Sequence, residues 1–160
     1  MKTPSSTGKV MVHRRKTTTR GTKKVTRAER LERQAKGAKA DAAGLRYEQL
    51  VFNYFSRSGW ELRFRERKYG YEYDIYGKRE ELLSGPEYLL VECKGKGRVS
   101  AKDVVRFMTK VGTFYKHLPE GLFGRPPVHA YLCYRESIDK DAANVAKSHK
   151  PPIKLKKVCK

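Results

Sequence analysis

Cysteine, amide side chains, acid and long apolar runs are all scarce in this chain of 160 residues. Cys93, Cys133 and Cys159 make an odd set of 3 without a Cys-x-x-Cys pair, which argues against structural zinc and against a disulfide framework. Two of them sit in apolar, strand-like runs, where a buried free thiol is expected. Asn and Gln together are Asn53, Asn144, Gln34 and Gln49, while 34% of the chain is charged, a balance that leans towards a thermophilic source. Acids number only 17 against 37 Lys and Arg, a formal charge of +20. That excess calls for a polyanionic partner, nucleic acid first, DNA before RNA or a ribosome. No apolar run approaches the ~20 residues of a spanning helix, and the N-terminus lacks the apolar core of a signal peptide. The expectation is a soluble intracellular protein with no membrane partner.

The charge is unevenly spread. Up to residue 44 there are 13 basic and 3 acidic side chains, 13 − 3 = +10, half of the total in about a quarter of the chain. Residues 1–40 are rich in Thr, Ser, Gly, Lys and Arg and have too little apolar surface to offset their chain entropy. They read as a basic arm in which Arg14, Arg15, Lys16, Lys23 and Lys24 contact a phosphate backbone by counterion release; the alternative is a solubilising tail. Residues 26–39 have weak helical character and would fold on contact. Residues 41–160 read as the folded domain.

In that domain Leu45, Tyr47, Leu50, Val51, Tyr54 and Phe55 recur at helical spacing and Gly59 stops the run, which predicts an amphipathic helix over 42–57 with Glu48 at the margin of its apolar stripe. Trp60, Leu62 and Phe64 alternate with charged residues and predict a strand with a basic outer face. Two further strands follow, with Tyr73 and Ile75 expected on one face of the first, Glu72, Asp74 and Tyr76 on the other. Leu89, Val91 and Cys93 are expected to share a face of the second, with Glu92 and Lys94 opposite. Ser100 and Asp103 read as a capping box, opening a helix whose apolar stripe is Val104, Phe107, Met108, Val111, Tyr115 and Leu118. Lys102, Arg106 and Lys110 stand one turn apart on another face, suited to phosphates or simply solvated. Gly95 and Gly97 flank Lys96 and precede Arg98, a weak phosphate-loop signal that an ordinary turn would also give. A strand at 128–134, a short helix capped by Ser137 or Asp139, and a basic edge strand from Ile153 complete the order.

The chemistry concentrates between Tyr69 and Lys94. Residues 74 and 92 are equidistant from residue 83, beside the turn signal Ser84-Gly85-Pro86, so an antiparallel hairpin sets Asp74 opposite Glu92. Lys94, two residues on, lies on the same face as Glu92. Two carboxylates and an ammonium on one patch are what a divalent cation and an anionic substrate call for. The bland alternative is a surface ion cluster worth at most about 1 kcal/mol.

With helix, three strands, helix and strand in that order, Gly70 to Asp74 followed by Glu92-x-Lys94 resembles the PD-(D/E)xK nuclease superfamily, closest to archaeal Holliday-junction resolvases and Mrr-type restriction endonucleases. The resemblance covers residues 42–135, and no Pro precedes Asp74. It implies a restriction-endonuclease-like α/β fold, an αβββαβ core with a mixed central sheet flanked by helices, and metal-dependent cleavage of DNA, with branched DNA a natural substrate. It implies Mg²⁺ or Mn²⁺ held by Asp74, Glu92 and the Cys93 backbone carbonyl, with Glu48 directly or through water and Glu72 as a lesser candidate. Lys94 would orient the attacking water, and a two-fold homodimer is implied for paired cuts. The competing expectation is a non-catalytic nucleic-acid-binding protein on the same scaffold, associated with ribosomes or chromatin, which the long basic arm favours.

Overall fold

The computed structural model describes residues 27–82, 85–121 and 124–159. The basic side chains at 14, 15, 16, 23 and 24 lie outside them. Helix α1 (Arg27–Phe55) leads into a 3-10 turn at Ser56–Ser58, followed by β1 (Glu61–Lys68), β2 (Tyr71–Glu81), β3 (Gly85–Lys94) and β4 (Arg98–Val99). Then come α2 (Ala101–His117), β5 (Val128–Tyr134), β6 (Ser137–Ile138), α3 (Lys140–Ser148) and β7 (Ile153–Lys157). The main sheet is mixed and five-stranded, in the order β1-β2-β3-β5-β7. β1, β2 and β3 form an antiparallel meander, while β3, β5 and β7 run parallel. The αβββαβ order is present, and no helix among the described residues is long and apolar enough to cross a membrane.

Two apolar cores, one on each sheet face, hold the layers together. On one face Tyr47, Val51 and Phe55 of α1, four residues apart, pack on Ile75, Leu89, Val91 and Cys133. On the other, Val104, Phe107, Val111 and Phe114 of α2, with Ala142 and Ala146 of α3, cover Tyr73, Tyr76, Leu90 and Leu132. Helix α1 spans Arg27–Phe55 rather than 42–57, and Leu31, Glu32 and residues 34–42 ahead of its packed half are exposed. Its buried row is narrower than expected: Leu45 falls off the 47-51-55 line, and Tyr54, in the last turn, keeps the helical period yet stays exposed. On α2, Phe114 joins the core while Met108 and Tyr115 are only partly buried. The Ser100–Asp103 capping box is present in both directions. Residues 98–99 are a strand rather than a turn, pairing parallel with β6.

The hairpin register is the expected one: Ile75 faces Val91 and Glu81 faces Gly85, which sets residues 74 and 92 opposite each other one position past the last ladder pair. The alternation within β2 differs from expectation, because Tyr73 packs in the α2-side core and Ile75 in the α1-side core. The physical cause lies across the ladder. The β1–β2 pairing holds at Phe64↔Ile75 and Glu66↔Tyr73 but is interrupted between them, where Arg65 takes a positive φ of 47°. A left-handed non-glycine residue costs about 1–2 kcal/mol. The register is the same on both sides of this interruption, which lies opposite Asp74.

Gly95, just past β3, is required by a close approach. A Cβ there would meet Tyr47 Cβ at 2.9 Å and its ring at 3.0 Å, so this glycine makes room for α1. Gly95→Ala is expected to cost about 1–3 kcal/mol through overpacking; unchanged stability in denaturant unfolding would contradict this seating of α1.

Candidate active site

Each acid of the patch reaches it from a different element. Asp74 comes from β2, Glu92 from the polar end of β3, Glu48 from the packed half of α1, and Asp103 from the first turn of α2. Asp74 is half-buried, and its Oδ2 accepts the Cys93 backbone N–H at 2.6 Å. This bond ties β2 to the end of β3 where their ladder stops. The Lys94 carbonyl accepts the Arg135 N–H from the β5 side at 3.2 Å. Main-chain alternation therefore turns the Cys93 carbonyl to the β2 side, towards Asp74.

Basic groups surround the acids. Lys110 Nζ donates to Glu92 Oε2 at 2.7 Å and to the Glu72 carbonyl at 2.9 Å. The Tyr73 hydroxyl donates in turn to the Lys110 carbonyl at 2.9 Å. Helix α2 is thereby pinned to β2 through one lysine, which is drawn into the patch rather than left on an outward phosphate-facing stripe. Lys94 Nζ sits 3.3 Å from Asp103 Oδ1 and 4.0 Å from Glu92 Oε1. Arg65 grips Glu48 with two hydrogen bonds, Nε to Oε2 at 3.0 Å and Nη2 to Oε1 at 3.2 Å. Glu72 is turned outward to Arg67, 3.3 Å away.

Charge crowding sets the acidities. Burial first, then the facing charge of Glu92 and the more distant one of Glu48, push the Asp74 carboxyl up to about 7, although the Cys93 N–H and Lys110 act in the opposite direction. Burial also opposes the charge on Asp103, but the hydrogen bonds from Ser100 and the nearby Lys94 outweigh it and hold that carboxyl below its ordinary range. Burial and the charge of Asp74 push the Cys93 thiol up, and burial alone pushes Cys133 up to about 12, so both stay neutral thiols rather than nucleophiles.

Among the described residues no three His, Cys, Asp or Glu side chains are gathered into a ready metal cage. The donor chemistry of Asp74, Glu92 and the Cys93 carbonyl is all oxygen and suits a hard divalent cation. A carboxyl raised by its like-charged neighbours marks a place where added positive charge is favourable.

Of the remaining expected contacts, Lys96, Lys102 and Arg106 are exposed and, among the described residues, have no carboxylate partner. Arg98 pairs with Asp139, bridging β4 to the start of α3. Arg65 and the second role of Asp103 were not anticipated. Asp103 was legible as a cap but not as the partner of Lys94, and nothing in the sequence marks Arg65.

The fold and site together define an α/β protein with a mixed five-stranded sheet and an acid–lysine cluster at the end of its central hairpin. No family model matches the chain, and no curated protein matches it. Among solved structures it is similar to the protein described as "Protein of Unknown Function AF1548", with a TM-score of 0.53 and 18% identity. The match covers 69% of this chain and 57% of that one, so this chain spans little more than half of its neighbour's length. At that identity the likeness shows the fold alone.

The raised Asp74 carboxyl gives stability a defined pH dependence. Between the ordinary value of 3.8 and about 7 the unfolded chain has released the proton while the fold retains it. Stability therefore falls as pH rises through that window, by about 4 kcal/mol at most, and levels off above it. Asp74→Asn removes this loss. Without divalent cations the variant should gain on the wild type between pH 4.5 and 7.5 in denaturant unfolding; a difference independent of pH would contradict the crowding.

Proposed function

We propose that the chain is a Mg²⁺- or Mn²⁺-dependent endonuclease that hydrolyses phosphodiester bonds in nucleic acid, DNA first, with branched or otherwise structured DNA as the natural target. The observation that carries this reading is the Asp74–Cys93 hydrogen bond at the hairpin end. It brings a crowded carboxylate, a second acid and two lysines to one strand terminus, where α/β proteins concentrate chemistry. The chemistry the cation supplies when bound is Lewis acidity at the scissile phosphate and a lowered pKa for water beside it.

The chain's own residues do the rest. Asp74, in its ionised form, would hold the cation together with Glu92 and the Cys93 carbonyl. Lys94, steadied between Asp103 and Glu92, orients the attacking water and offsets the charge that develops on phosphorus. Lys110 balances Glu92 and fixes α2 against β2. Glu48 adds negative charge behind Asp74 while Arg65 keeps it in place. Exposed Lys96, Lys102 and Arg106 meet the flanking backbone, and the basic N-terminal arm adds affinity without sequence preference. A two-fold homodimer suits paired cuts, and such a protein works inside the cell, on the nucleoid or near ribosomes.

One observation favours a second reading, a non-catalytic nucleic-acid-binding protein. Glu48, Glu92 and Asp103 each already hold a basic partner, which makes the patch largely self-neutralised. A cleavage panel of duplex, single-stranded and branched DNA and RNA with Mg²⁺ or Mn²⁺ separates the two. The nuclease reading expects cleavage, lost by at least about a hundredfold in Asp74→Ala and Lys94→Ala while binding persists. Intact binding without cleavage of any substrate would leave the binding protein.

A further inference from the structure

The α1-side face of the sheet carries a second cluster. Glu92 and Lys94 mark the C-terminal end of β3, whereas a recess of about 300 Å³ opens on the α1-side face of β5 and β7, beside the last turn of α1. It is lined by Tyr54, Trp60, Arg79, His129, Tyr131 and, from β7, Lys154 and Lys156. Every cation here lies against an aromatic ring. The Arg79 guanidinium is 4.4 Å from the Trp60 centroid, Lys154 Nζ 5.3 Å from that of Tyr131, and Lys156 Nζ 5.1 Å from that of Tyr54. The His129 ring meets Trp60 edge-on at 5.5 Å.

The charges divide into two sets. Glu87 accepts from Arg79 at 2.7 Å and lies 3.1 Å from His129 Nε2, which fixes the wall around Trp60. Lys154 and Lys156, among the described residues, have no carboxylate partner and are steadied by tyrosines alone. Alternate residues of a strand lie on one face about 6.6 Å apart. The two lysines therefore leave the strand at points spaced roughly like successive phosphates of an extended strand. Tyr54 keeps 45% of its surface open to solvent.

We infer that this recess is a binding site for single-stranded nucleic acid, an unpaired base stacking on the Tyr54–Trp60 side while Lys154 and Lys156 take adjacent phosphates. The inference rests on the reading that nucleic acid is the partner, but not on cleavage. Only an unpaired base offers its face to a ring; a duplex would engage the lysines alone. The site would hold a single-stranded flank at β5 and β7, to one side of the acid cluster on β2 and β3.

Trp60 is the single tryptophan of the chain, so its fluorescence reports on this recess. The full chain is titrated with a short oligothymidylate. The expected result is saturable quenching, little affected by Asp74→Ala. Tyr54→Ala should weaken binding about 5- to 150-fold, the effect of one stacked base. Lys154→Ala with Lys156→Ala should reduce the slope of log affinity against log salt by about 1.4, two single-strand phosphate contacts, and Lys154→Arg with Lys156→Arg should restore it. Equal quenching by heparin, polyglutamate or a duplex of matching length would overturn the site, as would unchanged binding by all these variants. Quenching without cleavage of any substrate would leave the site standing and remove the nuclease reading; cleavage without quenching would do the reverse.

Discussion

The Asp74 carboxylate accepting the Cys93 N–H is the contact on which the arrangement of this protein depends. It forms where the β2–β3 ladder ends, and it holds a negative charge in partial burial beside Glu92 and within the field of Glu48. Desolvation and like charge both work against the ionised form there, and one backbone donor and Lys110 offset them only in part. The fold accepts this, together with a left-handed Arg65 opposite it on β1, where the β2–β3 ladder ends. Local frustration of that kind, in a structure whose two cores are otherwise conventionally packed, is where function concentrates.

Lys110 links that charge problem to the architecture. Its side chain bonds Glu92 and the Glu72 carbonyl, and its own carbonyl accepts from Tyr73, whose ring is buried in the α2-side core. On the opposite face Gly95 lets Tyr47 of α1 close over the end of β3. Both helical layers are therefore seated against the same few residues of β2 and β3, and movement of either layer would be felt at Asp74.

Much of this was legible in the sequence because it follows from local rules. The hairpin register followed from a turn signal and the position of residue 83, and the capping box from Ser100 and Asp103. The buried rows of α1 and α2 followed from helical spacing, with errors at Leu45, Tyr54 and Phe114, where packing rather than period decides. What escaped depends on contacts between distant segments. The β1–β2 pairing is interrupted at Arg65, across the ladder, so strict alternation misassigned Tyr73. Lys110 has the same periodicity as Lys102 and Arg106, and only the position of α2 over β2 separates it from them. The aromatic recess gathers Tyr54, Trp60, Arg79, Tyr131 and Lys154 from five elements or their connections, and no spacing rule joins these.

The ionisation of Asp74 itself is the most direct test. A ¹³C-carboxyl NMR titration should find the Asp74 midpoint near 7 without divalent cations and lower once Mg²⁺ is added, because a bound cation favours the carboxylate. A midpoint near the ordinary carboxylate value that Mg²⁺ does not move would contradict the account.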